Sequence, residues 1–127
     1  MEIEEEIRKA FPTVSSAAPV ADEFIEANPN LMELDEEFDQ FEYVPAYMLW
    51  CLHNKDSALV DLYTVNVLAE YGRAKDSSNN YLNFKHRCSS AQVEAVTNFL
   101  KWCHEEIPSA DATQIERALK RWKVRNS

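Results

Sequence analysis

The amino-acid sequence predicts an all-α fold, a single bundle of five to six short helices over residues 1–127, arranged around a central apolar helix near residues 45–53. Three observations carry that prediction. The chain has one glycine in 127 residues, against a usual share of about 7%, which disfavours tight β-turns and glycine-rich phosphate loops. Apolar residues recur at steps of three and four along most of the chain, the spacing of one helix face. The longest apolar run, residues 44–52, has nine residues, about half of the roughly 18–20 needed to cross a bilayer, so it reads as a core helix.

Taken in order, Ile3, Ile7, Ala10 and Phe11 set the inner face of a first helix. Glu2, Glu4, Glu5 and Glu6 lie at the positive end of its dipole, Arg8 and Lys9 at the negative end, and Pro12 stops it. Pro19 suits the first position of a short second helix with acidic Asp22 and Glu23 and apolar Val20, Phe24 and Ala27, interrupted at Asn28-Pro29. Leu31, Leu34, Phe38 and Phe41 then form one stripe of an amphipathic helix whose other faces carry Glu33, Asp35, Glu36, Glu37, Asp39 and Glu42. Val44-Pro45 opens the next helix, apolar on every side through Leu52 and therefore surrounded by the others. Tyr47 and Trp50 are expected to fill the core there.

Residues 58–71 read two ways, because Tyr63, Val65 and Val67 alternate while Leu59, Leu62, Tyr63 and Val67 fit a helix. Gly72 follows as a helix C-cap with positive φ would, which favours the helix over short strands within 60–86. Residues 73–83, rich in Ser, Asn and Lys, read as a loop. Ser89 and Gln92 make a capping box, with Cys88 and Val93 as its staple, ahead of a stripe of Val93, Val96, Phe99 or Leu100, Cys103 and Ile107 that Pro108 ends. A last helix after Asp111 turns Ile115, Ala118, Leu119 and Trp122 inward and keeps Arg117, Lys120, Arg121, Lys123 and Arg125 outward or at its C-terminus.

Charge is unevenly shared. Residues 1–42 carry 13 Asp and Glu against 2 Lys and Arg, and the other 85 residues carry 9 acids against 11 bases. Such a balance opposes nucleic acid and anionic membrane as partners and favours a basic protein. The expected function is therefore a non-enzymatic interaction module whose acidic face, residues 22–42, presents Glu33, Asp35, Glu36, Glu37, Asp39 and Glu42. The alternatives are a homodimer that pairs acidic and basic ends of two chains, or a metal or thiol enzyme. The first residues lack the basic and apolar regions of a signal peptide, so the cytoplasm is the expected compartment.

The enzyme alternative rests on three pairs: Cys51 with His53, His86 with Cys88, and Cys103 with His104. Zinc takes about four nitrogen, sulfur or oxygen ligands, to which Glu105 or Glu106 could add. On a helix, however, residues one or two apart point about 100° or 200° away from each other, so each pair can supply at most one ligand. The favoured reading is that Cys51 and Cys103 are small buried hydrophobes and that His53 and His104 are polar residues near helix ends. No cofactor, metal ligand or catalytic residue is assigned on these grounds, and no glycine-rich phosphate loop, Ser-His-Asp order or HExxH string is present.

Several segments in series, Ile3-x3-Ile7-x2-Ala10-Phe11-Pro12, Val44-Pro45-Ala46-Tyr47-Met48-Leu49, Ser89-x2-Gln92-x3-Val96-x2-Phe99-Leu100 and Ala118-x3-Trp122, resemble a family of small, mostly bacterial proteins of unknown function. The resemblance implies a bacterial, intracellular, mainly helical protein and carries over no catalytic residue.

Overall fold

The computed structural model describes residues 2–11, 22–30, 40–54, 59–72, 84–107 and 112–122. Within them lie α1 (Ile3–Ala10), α2 (Asp22–Ala27), α3 (Gln40–His53), α4 (Leu59–Tyr71), α5 (Phe84–Arg87), α6 (Ser90–Glu106) and α7 (Ala112–Trp122), and no strand occurs among the described residues. The fold is all-α, and the ambiguous stretch ending at Tyr71 is helix. One element beyond the expected five to six is the single turn α5.

Five of these helices close into a ring of neighbours: α1 packs on α3, α3 on α4, α4 on α7, α7 on α6, and α6 back on α1. Two kinds of helix take part. In α1 and α7 a single buried stripe, Ile7 in one and Ile115, Ala118 and Trp122 in the other, faces charged residues on the opposite side. By contrast α3 and α4 bury most of their circumference, as helices apolar on all sides must.

Val44, Ala46, Tyr47, Met48, Leu49, Trp50 and Cys51 are all buried, as expected of the central helix. Its start differs from the sequence reading, for α3 runs from Gln40 through Pro45 without a break. Proline disfavours a helical residue before it and lacks the N–H that would reach the carbonyl four residues back, so Val44-Pro45 reads as a boundary. Burial of the whole following segment outweighs that local penalty. In α2 the buried residue is Ile25, not Ala27, which is exposed. Phe24 is half-buried and meets Tyr43 edge-on, with ring centroids 6.0 Å apart.

The Tyr47 hydroxyl donates to the Asn28 carbonyl at 2.6 Å and ties α3 to the residue after α2. Tyr47→Phe deletes the donor and leaves a partly buried carbonyl without it, so a loss of about 1–2 kcal/mol is expected. Urea unfolding with an unchanged m-value checks this; an unaltered midpoint would show that the bond contributes nothing.

The capping box forms as read: Ser89 N–H donates to Gln92 Oε1 at 2.8 Å and Gln92 N–H to Ser89 Oγ at 3.2 Å. Gln92 has a second task, since its Nε2 donates to the Ala10 carbonyl at 3.0 Å and so satisfies the C-terminal end of α1.

Carbonyls at the C-terminal ends of α4 and α7 are capped by side chains from other helices. Trp122 Nε1 donates to Leu68 O at 2.6 Å and Arg121 Nη1 to Ala69 O at 2.7 Å. Thr97 Oγ1 reaches Trp122 O at 3.2 Å, and Lys85 Nζ donates to Arg121 O. Phe84, the buried residue of α5, sits among Phe11, Tyr71 and Trp122 at centroid distances of 6.4, 5.4 and 6.0 Å. Gly72 lies beside this junction, and its backbone is not in the left-handed region. The expected reason for a glycine there is therefore corrected: a Cβ would stand 2.7 Å from both Cδ1 and Nε1 of Trp122, so the residue is small because the indole occupies its space.

Candidate functional site

Of the acidic residues proposed to meet a partner, Glu33, Asp35, Glu36, Glu37 and Asp39 lie outside the described residues, while Glu42 belongs to the first turn of α3. Acidic side chains on the described part of the N-terminal third divide into two groups. Glu2, Glu5, Glu23 and Glu26 are exposed. Glu4 and Glu6 are engaged: Glu4 pairs with Arg8 at 3.3 Å and with His53 Nε2 at 2.9 Å, and the Asn98 amide donates to both carboxylate oxygens of Glu6 at 3.0 Å.

Two of the three Cys and His pairs separate as helix geometry requires, and the His86 side chain of the third lies outside what the structure describes. Cys51 is buried while His53 faces out toward Glu4. Cys103 is buried while His104 faces out, its Nε2 3.8 Å from a Glu116 carboxylate oxygen. Cys88 is half-buried, and all three thiols are free. Among the described residues, no group of three or more His, Cys, Asp or Glu has the arrangement to hold a metal ion.

What the fold does gather is Cys51 from α3, Asp61 and Thr64 from α4, and Cys103 from α6. Asp61 and Thr64 are the buried polar side chains among the described residues. Burial, and then the adjacent Asp61 carboxyl, pushes the Cys51 thiol well above its ordinary range, with the Thr64 hydroxyl opposing weakly. Burial followed by Asp61 does the same to Cys103, and burial pushes Cys88 up to about 12. A thiol held protonated inside a core is a poor nucleophile, so this cluster has the chemistry of packing. Sequence reasoning missed it, though a lone Asp inside the apolar segment Leu59-Val60-Asp61-Leu62 was a signal.

A second feature is a cleft of about 510 Å³ between α1 and α6, lined by Glu6, Lys9 and Ala10 on one side and Ala91, Glu94 and Asn98 on the other. Two small residues leave the space, and the bonds from Gln92 to Ala10 and from Asn98 to Glu6 hold the helices together at either end of it. The two helices run antiparallel there, because the C-terminal end of α1 meets the N-terminal end of α6.

The fold and these features define a small helical-bundle protein with an acidic N-terminal third. Comparison of the chain with known protein families, with curated proteins and with solved structures finds no match. No helix of the described residues is long and apolar enough to cross a membrane.

Proposed function

We propose that this protein is a non-enzymatic interaction module that presents the acidic face of residues 22–42 to a basic protein partner. The observation that carries the reading is the concentration of 13 acidic residues against 2 basic ones in the first 42 positions. Glu23 and Glu26 are exposed at the described edge of that face, which supports it. Burial of Cys51 and Cys103 supports the non-enzymatic half, since a catalytic thiol needs access and a lowered pKa.

The test is Glu33→Lys combined with Glu36→Lys and Glu37→Lys. Immobilised wild-type chain is expected to capture a basic polypeptide from lysate, with capture falling as salt rises from about 0.1 to 1 M and the Debye length shrinks from about 10 to 3 Å. The triple variant is expected to retain under about a tenth of that material, because each reversal replaces an attraction by a repulsion. Undiminished capture by the variant would overturn the reading.

A further inference from the structure

We infer that the cleft between α1 and α6 seats one cationic side chain, an arginine or lysine, of the basic partner; the inference rests on the interaction-module reading and adds where one of the partner's charges is read. Three features of the cleft support it. Ala10 and Ala91 are among its lining residues, and their small side chains leave a volume of about 510 Å³ and an apolar surface against which the methylene stem of a long cation can lie. Its walls hold two carboxylates, Glu6 and Glu94. Asn98 orients the first by donating to both of its oxygens at 3.0 Å, and a carboxylate with about four lone-pair sites keeps capacity for a guanidinium or ammonium.

The third feature is the state of the remaining charges. Neither Glu94 nor Lys9 has an ion-pair partner among the described residues, although both line the cleft. Glu94 is thus available to a cation, and the two carboxylates outnumber the one ammonium, Lys9, on the cleft lining. Exposed Glu2, at the N-cap of α1, and Glu5 within it add to the attraction from outside the cleft.

The experiment is a two-dimensional amide NMR titration of the full-length, nitrogen-15-labelled chain with an acetylated, amidated penta-arginine peptide. Saturable shifts are expected at Ala10, Ala91, Glu94 and Asn98. Ala91→Trp fills the cleft without changing charge at an exposed position, and it is expected to abolish those shifts while the protein stays folded. Glu94→Gln is expected to weaken the cleft response about three- to fivefold, the size of one exposed ion pair. Cleft shifts that survive Ala91→Trp would overturn the inference, because a diffuse field would then explain them. Shifts confined to residues 31–42 would overturn the cleft and leave the interaction-module reading standing, whereas no response anywhere would overturn both. Shifts of the same amides on removal of residues 123–127, with none from peptide, would make the chain's own basic end the occupant and defeat the inference.

Discussion

Trp122→Ala is expected to destabilise the fold by about 3–5 kcal/mol, the range for emptying a large aromatic site in a core. Trp122 is fully buried, meets Phe84 at 6.0 Å, and donates to Leu68 O at 2.6 Å. Its removal therefore costs packing and a helix-end hydrogen bond together. Gly72→Ala attacks the same junction from the other side, since the added methyl must find room 2.7 Å from the indole and 3.0 Å from Arg121 Cβ. Overpacking of this kind costs about 1–3 kcal/mol. The two effects are coupled, because the atoms that the methyl meets, Cδ1 and Nε1, leave with the indole when Trp122 is truncated. Gly72→Ala should cost distinctly less in a Trp122→Ala background than in wild type. Urea unfolding of the four proteins of this cycle measures the difference, and strict additivity would show that the steric account is wrong.

Alkaline instability is the second large effect expected. Cys51, Cys88 and Cys103 all have thiols raised above the ordinary value of 9.0 in the folded protein, and burial is the main cause in each. The unfolded chain releases those protons near pH 9, while the native state holds them. Stability is therefore fully present below about pH 9 and falls as pH rises toward the folded values. Each buried thiol adds a slope of roughly 1 kcal/mol per pH unit. Tyr47, raised from 10.0 to about 12 by burial and by Tyr43, contributes in the same direction above pH 10. Between pH 9 and 11 three such slopes amount to roughly 6 kcal/mol, comparable with the whole stability of a marginal domain. Urea midpoints should collapse across that window, and Cys103→Ala should flatten the pH slope even though it lowers stability at pH 7. A flat profile to pH 11 would show that the thiols ionise alike in both states.

Elements with local causes were the most legible in the sequence. The start of α6 depends on Ser89 and Gln92, three residues apart, and both bonds form. Helix α4 was read correctly in type but for a reason the structure replaces. Gly72 looked like a cap, whereas its size answers to Trp122, fifty positions away, and no local pattern reports such a contact. The boundary of α3 was misplaced because a proline rule acts on one peptide unit while burial acts on the whole helix. Within the candidate sites, the outward turn of His53 and His104 away from their cysteines followed from helical angles alone. The meeting of Cys51, Asp61 and Cys103 did not, because it depends on the mutual register of three helices. The α1–α6 cleft likewise arises where two alanines from distant segments happen to face one space.

Because the ring closes through α1 and α6, the chain's first helix is completed by one of its last. At eight residues, α1 is shorter than the roughly 12–15 that an isolated helix needs to persist in water, so its helicity is lent by α3 and α6. Until the segment bearing Gln92 and Asn98 has been made, α1 lacks the α6 partners that fix the Ala10 carbonyl and the Glu6 carboxylate. The α1 wall of the cleft is thus among the last features of the molecule to be fixed, and a chain interrupted before residue 90 would carry Glu6 and Lys9 without the cleft that they line.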